Sequence, residues 1–105
     1  MRLTLDEQHA IAQAAAAVLP PGTCVSLFGS RTDDRQRGGD IDLLVEPPAP
    51  LGATVQVQLR TRLAARLYRL LGERRIDILV AAASEPNDRL VLAEARRQAI
   101  QLVTT

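Results

Sequence analysis

FGSRTDDRQRGGDIDL, residues 28–43, sets four acids and three arginines between two apolar segments. Such a stretch is either a solvated hairpin loop or a place where metal and phosphate meet, and its flanks decide between them. On the N-terminal side, Thr23-Cys24-Val25-Ser26-Leu27-Phe28 is a short β-prone run that reads as a first strand. On the C-terminal side, residues 40–45 read as a second strand, with IDLLV apolar enough to be buried on both faces. Pro47, Pro48 and Pro50 stop it, because proline cannot donate to a ladder. Only nine residues separate Ser30 from Asp40, so the two strands are expected to pair as antiparallel neighbours. The Gly29-Ser30 turn and the Asp40-Ile41-Asp42 pair then share one end of the sheet.

Further out, the pattern turns helical. Thr4-Leu5-Asp6-Glu7 reads as a capping box, opening a helix to about Leu19 with Ile11, Ala15 and Val18 on one face. Pro20-Pro21-Gly22 ends it. From about residue 54 to 71, Leu59, Leu63, Leu67 and Leu70 recur at helical spacing, and Gly72 is placed to cap the C-terminus. Residues 75–80 form a third strand. Ser84-Glu85-Pro86-Asn87 leads into a last helix from Asp88 to about Leu102, with Leu92, Ala95, Ala99 and Val103 turned inward. The order α-β-β-α-β-α, with no repeat or linker, predicts an α/β (α+β) fold: one domain over residues 1–105, with helices flanking a small mixed three-stranded sheet.

Composition narrows the function classes. At 105 residues the chain is long enough for one core, and 47% hydrophobic content is that of a globular domain. Phe28 and Tyr68 are the only aromatics and the net charge is +1, which disfavours nucleic acid as a partner. Cys24 is the only cysteine, so neither an internal disulfide nor a cysteine-rich zinc site is expected. No run is long and apolar enough for a membrane span, and MRLTLDEQHA lacks the apolar core of a signal peptide. The expected setting is cytoplasmic.

Three aspartates then stand out. Asp40 and Asp42 are two apart on one strand and so point to one face. Asp77 lies between Ile76 and Ile78, which must point the other way. Charges inside apolar strands cost several kcal/mol unless paired or metal-bound. A helix between strands two and three is the connection a parallel pair needs, which brings Asp77 to the end that holds Asp40 and Asp42. Three carboxylates offer hard oxygen ligands suited to Mg²⁺, which commonly shares its sphere with substrate phosphates. Beside them, Gly29 permits close approach of the backbone to a phosphate, Ser30 offers a hydroxyl and its N–H, and Arg31 can neutralise a phosphate oxygen. This is the equipment of two-metal phosphoryl or nucleotidyl transfer.

Gly29-Ser30, Asp40-Ile41-Asp42 and the Asp77 of Arg75-Ile76-Asp77-Ile78 together resemble the polymerase-β-type nucleotidyltransferase superfamily. The short length, GSR and DIDLLV resemble its minimal nucleotidyltransferase (MNT) branch, with MntA-like antitoxins. The resemblance implies that Gly29 and Ser30, with Arg31 beside them, hold the triphosphate of a nucleotide. It implies that Asp40 and Asp42 bind two Mg²⁺, and that Asp77 is a ligand or the base. It further implies AMP transfer from ATP to a hydroxyl of a partner protein, a HEPN-type toxin. Two other functions stay open: neutralisation of a toxin by contact alone, and a two-chain transferase acting on a small molecule. The loop departs from the GSRARG common in that branch, since Thr32-Asp33-Asp34-Arg35 follows Arg31.

Plainer readings stand beside these. Asp77 can serve as a salt-bridge partner of Arg74 or Arg75. Asp33 and Asp34 read as solvated loop acids, His9 as a surface histidine and Cys24 as a small core residue. Arg62, Arg66 and Arg69 fall on one side of their helix, either as a solvated face or as a docking stripe for an acidic partner or acceptor. The leucines of that helix are core.

Overall fold

A computed structural model describes residues 3–29 and 41–105 of the chain. Among these residues three helices and four strands follow in the order α1 (Leu5–Val18), β1 (Cys24–Phe28), β2 (Ile41–Glu46), α2 (Ala53–Leu71), β3 (Ile76–Val80), α3 (Leu90–Gln98) and β4 (Ile100–Thr104). The capping box forms as its sequence predicts. The Thr4 hydroxyl accepts the Glu7 N–H at 3.0 Å, and a Glu7 carboxylate oxygen accepts the Thr4 N–H at 2.8 Å. The other carboxylate oxygen accepts from Arg74, which ties the start of α1 to the turn after α2. Glu7 is thereby both a cap and a clamp.

The four strands lie in the order β3-β2-β1-β4. β1 runs antiparallel to β2, and β2 runs parallel to β3 through the α2 crossover, as the connection lengths require. Alternation along the strands then divides the sheet into two faces. Val25, Leu27, Ile41, Leu43, Val45, Ile76 and Val80 meet Ile11, Ala14 and Ala15 of α1 and Leu59, Leu63 and Leu67 of α2 in one core. The opposite face carries Leu44, with Phe28 and Leu79 packed against it, beneath Leu92 and Ala95 of α3. Leu43 and Leu44 are both fully buried, so β2 is covered on each side.

The last part of the chain differs from the sequence expectation. The sheet has four strands rather than three, and α3 begins at Leu90 and ends at Gln98 instead of running from Asp88 to Leu102. Ile100, Val103 and Thr104 are β-branched, and pairing with β1 outweighs one further turn of helix. Val103 therefore packs from a strand. The β1–β4 register shifts between Val25 and Ser26, so Leu102 has no counterpart in the ladder. Leu70, placed in the helical repeat, is 42% exposed. Cys24 is half-buried at the start of β1 rather than enclosed in the core. No helix among the described residues is long and apolar enough to cross a membrane.

Candidate active site

The site is built where β1, β2 and β3 end together. In the parallel β2–β3 ladder Asp42 stands directly beside Asp77, and in the antiparallel β1–β2 ladder it stands opposite Phe28. Register partners point to one face, so both carboxylates lie on the side of the sheet that α3 covers, on strands about 4.8 Å apart. α3 is only nine residues long and packs on Leu44. A cleft of about 450 Å³ opens here, lined by Phe28, Asp42, Arg60, Asp77, Leu79 and Val91 among others.

Burial answers the question of what compensates these charges. Asp42 is half-buried, and the Asp77 side chain is 52% exposed. The expectation that Asp77 must be neutralised inside an apolar strand is therefore corrected: its strand is at the sheet edge, and water reaches it. An Arg75 guanidinium N–H lies 3.5 Å from it, as the plainer reading foresaw, but both groups are too solvated for the pair to hold it strongly. Asp77 is thus presented to the cleft.

Gly29 supplies the third side. It follows β1 with φ of +79°, a conformation that L side chains rarely adopt. A Cβ built on it would strike the Asp42 carboxylate, reaching its Cγ at 3.0 Å. Glycine here therefore answers two demands, the turn itself and room for the aspartate beside it. What the structure shows at Gly29 is a close approach of the backbone to the Asp42 carboxylate.

Of the residues singled out in the sequence, Gly29, Asp42 and Asp77 are thus brought to one end of the sheet. Ser30, Arg31 and Asp40 lie outside the described residues, as do Asp33 and Asp34. Among the described residues no three His, Cys, Asp or Glu side chains cluster as a metal site. His9 is exposed on α1, away from the cleft, and Arg62, Arg66 and Arg69 are exposed on α2. A second depression of about 560 Å³ beside Tyr68, Glu73 and Arg74 offers one carboxylate and no matching pair.

Sequence reasoning missed Arg60. It lies on α2 one turn before Ala64, on the flank of the leucine stripe that turns toward β3, and both residues line the cleft. The available signal was this placement beside Leu59 and Leu63, distinct from the outward Arg62, Arg66 and Arg69. Arg60 adds a permanent positive charge to a cleft that Asp42 and Asp77 also line.

No protein-family model matches the chain, and no curated protein matches it. Solved structures do. A chain of a toxin–antitoxin crystallised with AMP-PNP superposes with a TM-score of 0.65 at 22% identity, covering 93% of this chain and 73% of that one. A chain from the tri-AMPylated Shewanella oneidensis HEPN toxin in complex with MNT antitoxin gives 0.62 at 21%, covering 94% and 71%. A chain of the toxin–antitoxin MntA-HepT gives 0.61 at 20%, covering 94% and 71%. The likeness extends over nearly the whole sheet and its helices, and the chain accordingly has a nucleotidyltransferase-like α+β fold, shared with chains of MNT–HEPN toxin–antitoxin complexes.

Proposed function

We propose that the protein is a Mg²⁺-dependent nucleotidyltransferase that moves AMP from ATP to a hydroxyl of a HEPN-type toxin and so acts as the toxin's antitoxin. The observation that carries this reading is the parallel register of Asp42 and Asp77 on one open face, with Gly29 against the Asp42 carboxylate. Structural neighbours that include an AMP-PNP complex and an AMPylated toxin supply the nucleotide and the acceptor class.

The donor set fits the ion. Asp42 and Asp77 are hard oxygen donors on adjacent strands, exposed enough to keep water in the sphere, as Mg²⁺ requires. Asp40, two residues before Asp42, completes the proposed ligand set. Bound there, Mg²⁺ supplies charge neutralisation for the attacking and leaving oxygens. Ser30 and Arg31, with Arg60 from across the cleft, bind the triphosphate oxygens and orient them. The acceptor hydroxyl attacks the α-phosphorus, the bond to pyrophosphate breaks, and Asp77 receives the hydroxyl proton. Pyrophosphate leaves with its charge facing Arg60.

Purified protein, its HEPN-type partner, Mg²⁺ and α-labelled ATP test this directly. Label is expected on the partner, and Asp42→Asn is expected to reduce transfer by at least about 10²-fold. A rival reading, neutralisation by contact, draws on Asp33 and Asp34, two acids that oppose triphosphate binding. An Asp42→Asn protein that protects cells from the toxin as well as wild type would establish that rival. Label on a small hydroxylated compound, and on no protein, would redirect the acceptor.

A further inference from the structure

One hydrogen bond joins the far end of the chain to the candidate site. The backbone N–H of Gly29 donates to the side-chain oxygen of Gln98 at 3.0 Å, across a sequence separation of 69 residues. Its position in the fold gives the bond meaning. Leu27 of β1 pairs with Ile100 of β4, and two residues further the β4 side of the ladder has already turned into α3. The main chain of Gln98, the last residue of α3, belongs to a helix and offers β1 no strand. Its side-chain carbonyl instead continues the β1–β4 ladder to Gly29, the residue that precedes Ser30.

The amide is held in this orientation from both ends. Gly29 N–H is a donor, so only the Gln98 oxygen can face it. The Gln98 amide nitrogen faces a carboxylate oxygen of Glu94 at 3.4 Å, which agrees with the same orientation. Arg97 in turn holds both Glu94 oxygens, at 3.2 and 2.7 Å. Arg97, Glu94 and Gln98 thus form a chain along one side of α3 that ends on the Gly29 amide.

We propose that Gln98 is a positioning residue for the nucleotide: it fixes the Gly29 turn against the Asp42 carboxylate and thereby sets the phosphate-binding Gly29 backbone relative to Asp42 and Asp77. This rests on the proposed nucleotidyltransferase reading. It adds a polar residue of α3 to a site whose other polar groups come from the strand ends and α2.

Gln98→Met keeps the length of the side chain and removes the acceptor. Isothermal titration with Mg²⁺-ATP is expected to give a Kd three- to tenfold weaker than wild type, with amide hydrogen exchange at Gly29 accelerated. Gln56→Met is the matched control, because Gln56 makes a side-chain bond to the Leu51 carbonyl at 2.9 Å and does not line the cleft. It should lower thermal stability to a similar degree and leave the ATP Kd at the wild-type value. If Gln98→Met binds Mg²⁺-ATP as wild type does, or if Gln56→Met weakens it equally, the role assigned to Gln98 is wrong while the nucleotide reading stands. A wild-type protein that binds no Mg²⁺-ATP overturns both together.

Discussion

The two faces of one sheet are made by the same strands and differ in almost everything else. Leu43 and Asp42 are adjacent on β2, yet the first is fully buried beneath α1 and α2, and the second is half-buried on the α3 side. The difference is one of cover. The first face is sealed by helices of 14 and 19 residues that also pack on each other, whereas the second has a nine-residue helix that shields Leu44 and leaves Asp77 exposed to water. Stability is thus concentrated on one face and polar chemistry on the other. A strand with period-2 alternation serves both without conflict.

The largest effect expected from this division is on stability. Leu43→Ala should destabilise the fold by about 2–5 kcal/mol, because a fully buried leucine leaves a cavity among residues fixed by two helices. Leu79→Ala, half-buried on the other face, should cost about 1 kcal/mol or less. Urea denaturation of both variants measures the ratio. Equal losses would mean that the α3 face carries as much of the core as the sealed one, and the division would collapse.

Asp42→Asn probes the converse. Transfer should fall by about 10²- to 10³-fold, whereas the midpoint of thermal unfolding should stay level or rise. The side chain keeps its shape and loses a charge that stands directly beside Asp77. A loss of activity that merely follows a loss of stability would assign Asp42 to the scaffold.

How much of this was legible in the sequence follows the same division. The sealed face was read almost completely: Ile11, Ala15, Leu59, Leu63 and Leu67 announce their burial by helical spacing, and IDLLV announces a strand covered on both sides. Connection lengths alone gave antiparallel β1–β2 and parallel β2–β3, and with them the meeting of Asp42 and Asp77. β4 was missed because Leu92, Ala95, Ala99 and Val103 continue a helical period while Ile100 to Thr104 is β-prone, and only pairing with β1 decides between them. Arg60 was missed because helical period separates buried from exposed residues and says little about the flank between them. Gln98 was beyond reach for a related reason: its bond to Gly29 exists only because β4 does.

Gly29→Ala acts at the seam between the faces. The left-handed backbone costs an L side chain about 1–2 kcal/mol, and the new methyl group would press on the Asp42 carboxylate. Stability should fall by about that amount, and Mg²⁺-ATP affinity should fall with it. A variant that loses stability but keeps its affinity would detach the Gly29 turn from phosphate binding and leave that role to the proposed Ser30, Arg31 and Arg60.

The smallest expected effect lies on the surface of α3 and depends on pH. The hydrogen bond from Arg97 holds the Glu94 carboxyl below the usual carboxylate range, and the same contact raises Arg97. A carboxyl depressed in the folded state contributes stability above its unfolded-state value and loses it as pH falls through the folded one. Glu94→Gln should therefore be slightly less stable than wild type at neutral pH, with the gap closing in acid below the ordinary carboxylate range. Both side chains are exposed to solvent, so high salt should shrink the gap as well. The same substitution keeps an oxygen for the Gln98 amide, and its affinity for Mg²⁺-ATP should change less than that of Gln98→Met. Were the two to weaken nucleotide binding equally, the ion pair on α3 rather than the single bond to Gly29 would be what positions the site, and the division between a structural face and a chemical one would extend to the outer surface of the helix.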